Sequence, residues 1–143
     1  MNRFCLLMIG GLLLPGCGSD VETVVAESVL VDAVLTVEPG SFISYPFSVN
    51  FANMDEPLIF AGFSSDDGST LARVLVLTEA NFELWRDGEP YVAAVRSGRI
   101  PTTSVRFFLQ TNGDYRVVFS NREDTVSARS MGVFATLLWQ PPS

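Results

Sequence analysis

Between residues 29 and 139 the apolar side chains recur at nearly every second position, in short runs cut by turn residues. A period of two belongs to extended strands, whose side chains point alternately to opposite faces; a helix repeats at 3.6. In "SVLVDAVLTVEPG" one face carries Val29, Val31, Ala33, Leu35 and Val37, and the run stops at Pro39-Gly40. "SFISYPFSVN" sets Ile43, Tyr45, Phe47 and Val49 against Ser44, Pro46, Ser48 and Asn50. Pro46 has no N–H to give to a ladder, so this strand is expected at a sheet edge or broken there. "PLIFAGFSS" is a third strand, ended by Asp66-Asp67-Gly68, and "LARVLVLT" a fourth, expected to be buried on both faces over residues 74–77. "EPYVAAVRSG", "TSVRFFLQ", "YRVVFSN" and "VSARSMGVFATLLW" complete the series. Short alternating strands with turn signals at this spacing predict an all-β fold, an antiparallel sandwich or barrel; we read a single β-sandwich of about eight strands.

One segment breaks the rhythm. "TEANFELWRDGE" offers Thr78 as an N-cap, acids in the first turn and Gly88 as a stop, the marks of a short helix. Phe82 and Trp85, three residues apart, share one helical face. Trp85 can serve as a ligand platform or as a plug over one end of the core; we read it as a plug.

The N-terminus, "MNRFCLLMIGGLLLPGCGSD", places Arg3 before an uncharged apolar stretch over residues 4–14. That stretch is too short for a bilayer, which needs about 20 residues, and has the length of a signal-peptide core. Its end, Leu14-Pro15-Gly16-Cys17, resembles the lipobox of bacterial lipoproteins: Leu14, Gly16 and Cys17 match, and Pro15 departs from the small or β-branched residue usual there. The resemblance implies cleavage between Gly16 and Cys17, a diacylglycerol thioether on Cys17 and an acyl group on its new amine. Several acyl chains on one residue make a stable anchor where a single chain does not. Cys5 leaves with such a leader, so Cys17 would be the only cysteine of the mature chain and no internal disulfide is possible. Gly18 stands where, in lipoproteins of this type, Asp retains the protein at the inner membrane; its absence implies the outer membrane. The expected organisation is therefore a signal peptide over residues 1–16, a lipidated tether over 17–27, a sandwich over 28–140 and a tail over 141–143.

The stretch "LQTNGDYRVVFSN" tests how two strands are joined. Val105, Phe107 and Leu109 are apolar on one face, and Tyr115, Val117 and Phe119 on the other strand. A two-residue Asn-Gly turn would pair Thr111 with Asp114 and set Leu109 opposite Arg116, an apolar face beside a polar one. Either the loop has three residues and a bulge, or the chain crosses from one sheet to the other. Gly113-Asp114-Tyr115 has the spacing of a tyrosine corner, in which the phenol bonds back upstream. The run from Gly113 to Asn121 also resembles the end of a GOLD domain, where G-x-Y, an apolar strand and a small-residue–Asn pair precede a final strand, here residues 126–139. The similarity extends loosely over residues 31–139. Phe119 replaces the family's cysteine, and Arg129 is the nearest substitute for the Lys that often begins its final strand. Appendage domains of secreted bacterial proteases are similar in outline. These resemblances imply a jelly-roll-like sandwich with a noncatalytic, interaction-type role.

Composition narrows the chemistry. With 143 residues, 48% of them apolar, the chain has room for one domain with a real core. The formal charge is −7, all nine basic residues are Arg, and there is no His. A net-acidic chain is poorly suited to nucleic acid, whose binding rests on neutralised phosphates, and to charge-driven docking on anionic lipid. Without His, and without a cysteine beyond the anchor, His-based triads, Cys nucleophiles and Cys/His zinc sites are excluded. The adjacent pairs Asp55-Glu56, Asp66-Asp67 and Glu123-Asp124 offer carboxylates for glycoside hydrolysis, but neighbours on an extended chain point apart and all three sit in turn contexts. "SSDDGST" has oxygen ligands suited to calcium at Asp66, Asp67 and Ser69 without EF-hand spacing; we read it as a solvated hairpin loop and expect no cofactor. Arg106 and Arg116 can share an outer face and hold an anion, although pairing within the fold is the simpler account. All bases of the mature chain lie from Arg73 onward, while nine acids lie over residues 17–72. That asymmetry makes either an acidic surface or two halves that complement each other; we expect the second. The chain is thus expected to be a membrane-anchored envelope module that binds an envelope protein or a glycan. The rivals are a carboxylate-dependent hydrolase of envelope polysaccharide and a purely structural lipoprotein.

Overall fold

A computed structural model describes residues 25–65, 72–123 and 128–142. Cys5, Gly16, Cys17 and the candidate calcium loop at Asp66, Asp67 and Ser69 lie outside the described residues, as does Asp124. Eight strands and one helix follow in the order β1 (Ala26–Val37), β2 (Phe42–Val49), β3 (Asp55–Ser65), β4 (Arg73–Thr78), α1 (Glu79–Arg86), β5 (Val95–Arg96), β6 (Thr102–Phe108), β7 (Gly113–Ser120) and β8 (Arg129–Gln140). They form two four-stranded sheets, β1-β8-β3-β6 and β2-β7-β4-β5, and every pairing is antiparallel. This is the jelly-roll form of the β-sandwich. The chain changes sheet at every connection but the one through α1, so no strand pairs with its immediate neighbour except β4 with β5.

The core lies between the sheets. Ile59, Ala61 and Phe63 of β3 and Met131, Val133, Ala135 and Leu137 of β8 face Val74 and Val76 of β4 and Tyr115, Val117 and Phe119 of β7. All are buried at every second position, as the alternation requires. β2, with Pro46, is an edge strand of its sheet.

The first connection follows from its sequence. Glu38-Pro39-Gly40-Ser41 closes with Ser41 N–H donating to the Glu38 carbonyl at 3.1 Å, and Gly40 has φ 72°. Proline at the second position and a positive φ at the third are those of a type II turn, and only glycine takes that φ without steric cost. The Asn121 amide bridges this turn to the end of β7, donating to the carbonyls of Val37 at 3.1 Å and Glu38 at 3.3 Å.

β6 and β7 lie in different sheets, so the Asn-Gly stretch is a sheet-to-sheet crossing, the second of the two options left by the register conflict. The Tyr115 hydroxyl donates to the Thr111 carbonyl at 2.8 Å and lies 2.7 Å from its hydroxyl. Asn112 accepts the Phe51 N–H at 2.7 Å, and Asp114 accepts from the Ser48 hydroxyl at 2.6 Å. The polar residues of this stretch are spent on the corner.

Four local expectations change. Val29 does not share the inward face of β1: a bulge between Val29 and Val31 shifts the register, so Val29 pairs with Thr136 on the outside. The strand expected over residues 89–98 shortens to Val95–Arg96, because the chain before it is held on the helix: Asn81 accepts the Val92 N–H at 2.9 Å, and Tyr91 and Ala93 pack against the Phe82 and Trp85 cluster. β1 begins at Ala26, which takes the last two residues of the expected tether. The strands flanking the expected hairpin at residues 64–70 lie in different sheets, so they do not form a hairpin.

Candidate binding face

A sandwich has two outer faces, and here they differ. On the β2-β7-β4-β5 sheet the outward residues include Phe42, Leu75, Leu77 and Val118. Helix α1 lies across them with Phe82 (4% exposed) and Trp85 (8% exposed) pointing down, closing a second apolar cluster. β4 is therefore buried on both faces, as its unbroken apolar run anticipates. Trp85 covers this outer face rather than one end of the core; its ring packs edge-on against Phe42 at 4.8 Å.

The helix is fixed at both ends. Thr78 caps its start, its hydroxyl accepting from the Asn81 N–H at 3.2 Å. Its C-terminus closes with Glu89 N–H to Leu84 carbonyl at 2.8 Å and Gly88 N–H to Trp85 carbonyl at 3.2 Å, Gly88 being left-handed at φ 78°, a Schellman close. Two arginines after β4 clamp it. Arg116 forks onto the Glu79 carboxylate at 3.0 and 3.2 Å and stacks over the Phe82 ring at 4.7 Å. Arg122 donates to the carbonyls of Trp85 at 2.6 Å and Arg86 at 2.7 Å and lies 4.6 Å from the Trp85 ring. A cation over carbonyls at a helix C-terminus and a carboxylate in its first turn are both favourable to the helix dipole.

The other outer face has no such cover among the described residues. Pairing fixes it in rows across the sheet: Val34–Gly132–Ser64–Thr102, Asp32–Phe134–Gly62–Ser104, Val29–Thr136–Phe60–Arg106 and Glu27–Leu138–Leu58–Phe108. Its apolar side chains include Val34 (70% exposed), Val29 (56%) and Phe108 (52%). Phe60 and Phe134 are half-buried, their ring centroids 5.0 Å apart. The Phe134 ring lies over Gly62, where an added Cβ would meet it at 2.9 Å and collide with the Thr103 carbonyl. Beside it Gly132 floors a trough of about 490 Å³ walled by Phe60, Phe134, Ser64 and Thr102. At Gly132 the nearest atom to an added Cβ is the Ser64 carbonyl oxygen at 4.0 Å, so the trough is open to a larger side chain.

At one end of this face, where the described chain begins at Val25, a small recess of 220 Å³ is lined by Val25, Arg106, Phe108, Leu138 and Trp139. It adjoins a wider open cleft of 670 Å³ lined by Phe51, Met54, Asp55, Glu56, Phe108 and Gln110, among others. Glu56 has φ 51°, uncommon for a residue with a side chain.

The candidate residues fall out as follows. Asp55 and Glu56 line the wide cleft, and no other carboxylate does so. Glu123 is held by Arg73 at 3.3 Å and Arg99 at 3.0 Å. Among the described residues no three carboxylates or other ligating side chains gather as a metal site requires. Arg106 and Arg116 do not share a face: they stand on different sheets, Arg106 over the Phe60 ring at 5.2 Å and Arg116 on Glu79. Nor, among the described residues, do the two halves of the chain form ion pairs with each other. The ion pairs among the described residues, Arg73–Glu123, Arg86–Asp87, Arg99–Glu123 and Arg116–Glu79, all lie within the second half, leaving Glu27, Asp32, Glu38, Asp55 and Glu56 without an ion partner there. The apolar outer face was not anticipated, although "PLIFAGF" and "FATLLW", apolar on both strand faces, carried its signal.

No protein-family model and no curated protein sequence matches the chain. Among solved structures it is similar to a Bacillus protein described as an endospore appendage of disulfide-linked pili, with TM-score 0.48 and 11% identity over 86% of this chain and 93% of that one. It is also similar to PliG of Aeromonas hydrophila, a periplasmic inhibitor of g-type lysozyme, with TM-score 0.47 and 11% identity over 82% and 87%. A third is the low-affinity xylan-binding module CBM86 of Roseburia intestinalis, with TM-score 0.46 and 10% identity over 82% and 96%. At these identities the similarity is one of outline. Among the described residues no helix is long and apolar enough to cross a membrane.

Proposed function

We propose that this chain is a noncatalytic binding or assembly module, held at the bacterial outer membrane by lipid on Cys17, which presents the outer face of its β1-β8-β3-β6 sheet to a protein partner. The observation that carries this reading is the difference between the two outer faces. One apolar face is sealed by a clamped helix, and the other is equally a product of two-sided apolar strands but is left open by the described residues. Contiguous apolar surface of this kind marks interaction sites. The most exposed apolar side chains of the open face, Val34 and Val29, are aliphatic while Phe60 and Phe134 are half-buried, which favours a protein over a glycan as the partner. The hydrolase alternative lacks a second carboxylate facing Asp55 and Glu56 in the wide cleft. The tether leaves at Val25, beside Leu138 and Trp139. Residues 17–24, at up to about 3.5 Å each, would keep that end of the face within about 28 Å of the lipid.

The anchor and the face are tested separately. Cys17→Ser is expected to abolish incorporation of labelled lipid and to move the protein out of the membrane fraction; unchanged labelling and fractionation would remove the anchor from the proposal. A photo-crosslinking residue at position 34, on the open face, is expected to capture a partner in intact cells, while one at position 84, on the helix, is not. Equal capture at both positions would deny the face a special role.

A further inference from the structure

The open face is not only apolar; its charges are sorted by edge. On β1, at one side of the sheet, the outward charged residues are Glu27 and Asp32; on β6, at the other side, the outward charged residue is Arg106. Glu27, Asp32 and Arg106 have no ion pair among the described residues; the Arg106 guanidinium lies over the Phe60 ring at 5.2 Å, and Glu56 lines the same recess without pairing with it. Three strand spacings of about 4.8 Å separate the two edges, too far for the acids and Arg106 to pair within one molecule. Between them run the apolar residues Phe60, Phe134, Leu58 and Leu138.

We infer that the partner on this face is a second copy of the same chain, packed sheet against sheet about a twofold axis parallel to the strands. The inference rests on the open face being the binding face. An isologous contact needs a patch complementary to itself, and this one is. Such an axis lays β1 of each copy over β6 of the other. In the row Val29–Thr136–Phe60–Arg106, Arg106 of one copy then faces Val29 of the other and is bracketed by Glu27 and Asp32, one row to either side. An axis across the strands would instead set β1 on β1 and β6 on β6, like charge on like, so the edge sorting selects one of the two dyads. The aromatic centre packs on itself about 10 Å from sheet to sheet, the spacing of a sandwich interior. With β6 spanning Thr102–Phe108 and β3 Asp55–Ser65, the overlap under this dyad is roughly 590 Å² from strand spacing and rise, at the small end of stable interfaces, which bury about 600–1,000 Å² per partner.

The test uses the full-length protein, extracted from its membrane in detergent and sized by density-matched sedimentation. The wild type is expected to sediment as a dimer at micromolar concentration. Asp32→Arg and Arg106→Asp are each expected to weaken the dimer at least tenfold, and the double variant Asp32→Arg/Arg106→Asp to recover most of that loss. Gly132→Arg, which adds bulk over the trough where space is free, is expected to give monomer with an unchanged circular dichroism spectrum and a thermal midpoint that no longer depends on protein concentration. A wild type that stays monomeric throughout, or a double variant no better than either single one, overturns the second-copy assignment. Crosslinks from position 34 then separate the two levels: capture of a different protein keeps the binding face and loses the dimer, and no capture loses both.

Discussion

The two outer faces of this sandwich are built from similar strands and end differently. On the β2-β7-β4-β5 sheet, Leu75, Leu77, Val118 and Phe42 are covered by ten residues of intervening chain that fold as α1 and its cap. On the β1-β8-β3-β6 sheet, Phe60, Phe134, Leu138, Val29 and Val34 meet no such segment among the described residues. The connection between β4 and β5 is the only one that returns to its own sheet, so it alone has length free to lie across a face. The described connections that cross between sheets, over residues 38–41, 50–54, 97–101 and 109–112, pass from one sheet to the other at the ends of the strands and do not lie across a face. Cover on one side and exposure on the other thus follow from the topology, and the open side is where an external surface fits.

The largest expected effect lies under the helix. Trp85→Ala removes an aromatic buried against Phe42 and Phe82 and is expected to cost about 3–5 kcal/mol in urea unfolding. A cost below about 1 kcal/mol would mean that the cover is incidental and that the two faces are alike. Arg122→Ala, which strips two donors from the helix carbonyls, is expected to cost about 1.5–3 kcal/mol by the same measurement, with the loss confined to the helix in hydrogen exchange. Thr78→Ala should cost about 1 kcal/mol through the lost cap, read in the same unfolding curves. Smallest is Val34→Thr on the open face, expected to shift stability of the monomer by no more than about 0.5 kcal/mol. A loss comparable to that of Trp85→Ala would show that this face, too, is sealed within the molecule.

How much of this was legible depends on whether the deciding contact is local. The strand rhythm, the edge position signalled by Pro46, the helix with its Thr78 cap and Gly88 stop, and the double burial of β4 all rest on a few adjacent residues and could be read directly. The register conflict at Asn112-Gly113 pointed beyond local structure, since apolar faces that cannot meet through a short turn require a change of sheet. The bulge at Leu30, which turns Val29 outward, has no local mark, because either neighbouring valine satisfies the alternation. The ion pairs were misjudged for the same reason: charge sums over halves of a chain do not say which side chains the sheets bring together. Arg116 and Glu79 meet only because α1 folds back over β7. The open face was visible in "PLIFAGF" and "FATLLW", whose two-sided apolarity matches that of β4, but a covering element can be sought only once the order of strands is known.

β8 is the last strand of the described chain and an inner strand of its sheet, lying between β1 and β3. Until residues 129–140 exist, β1 has no strand to pair with and β3 is held on one side alone, by β6, so β1, the first strand of the described chain, must wait for the last. A chain cut short before β8 would expose both of those edges along with the inner faces of Phe63 and Ile59, open to chaperones and proteases. The fold thereby makes its closure wait on synthesis: only a chain translated through β8 can complete this sheet.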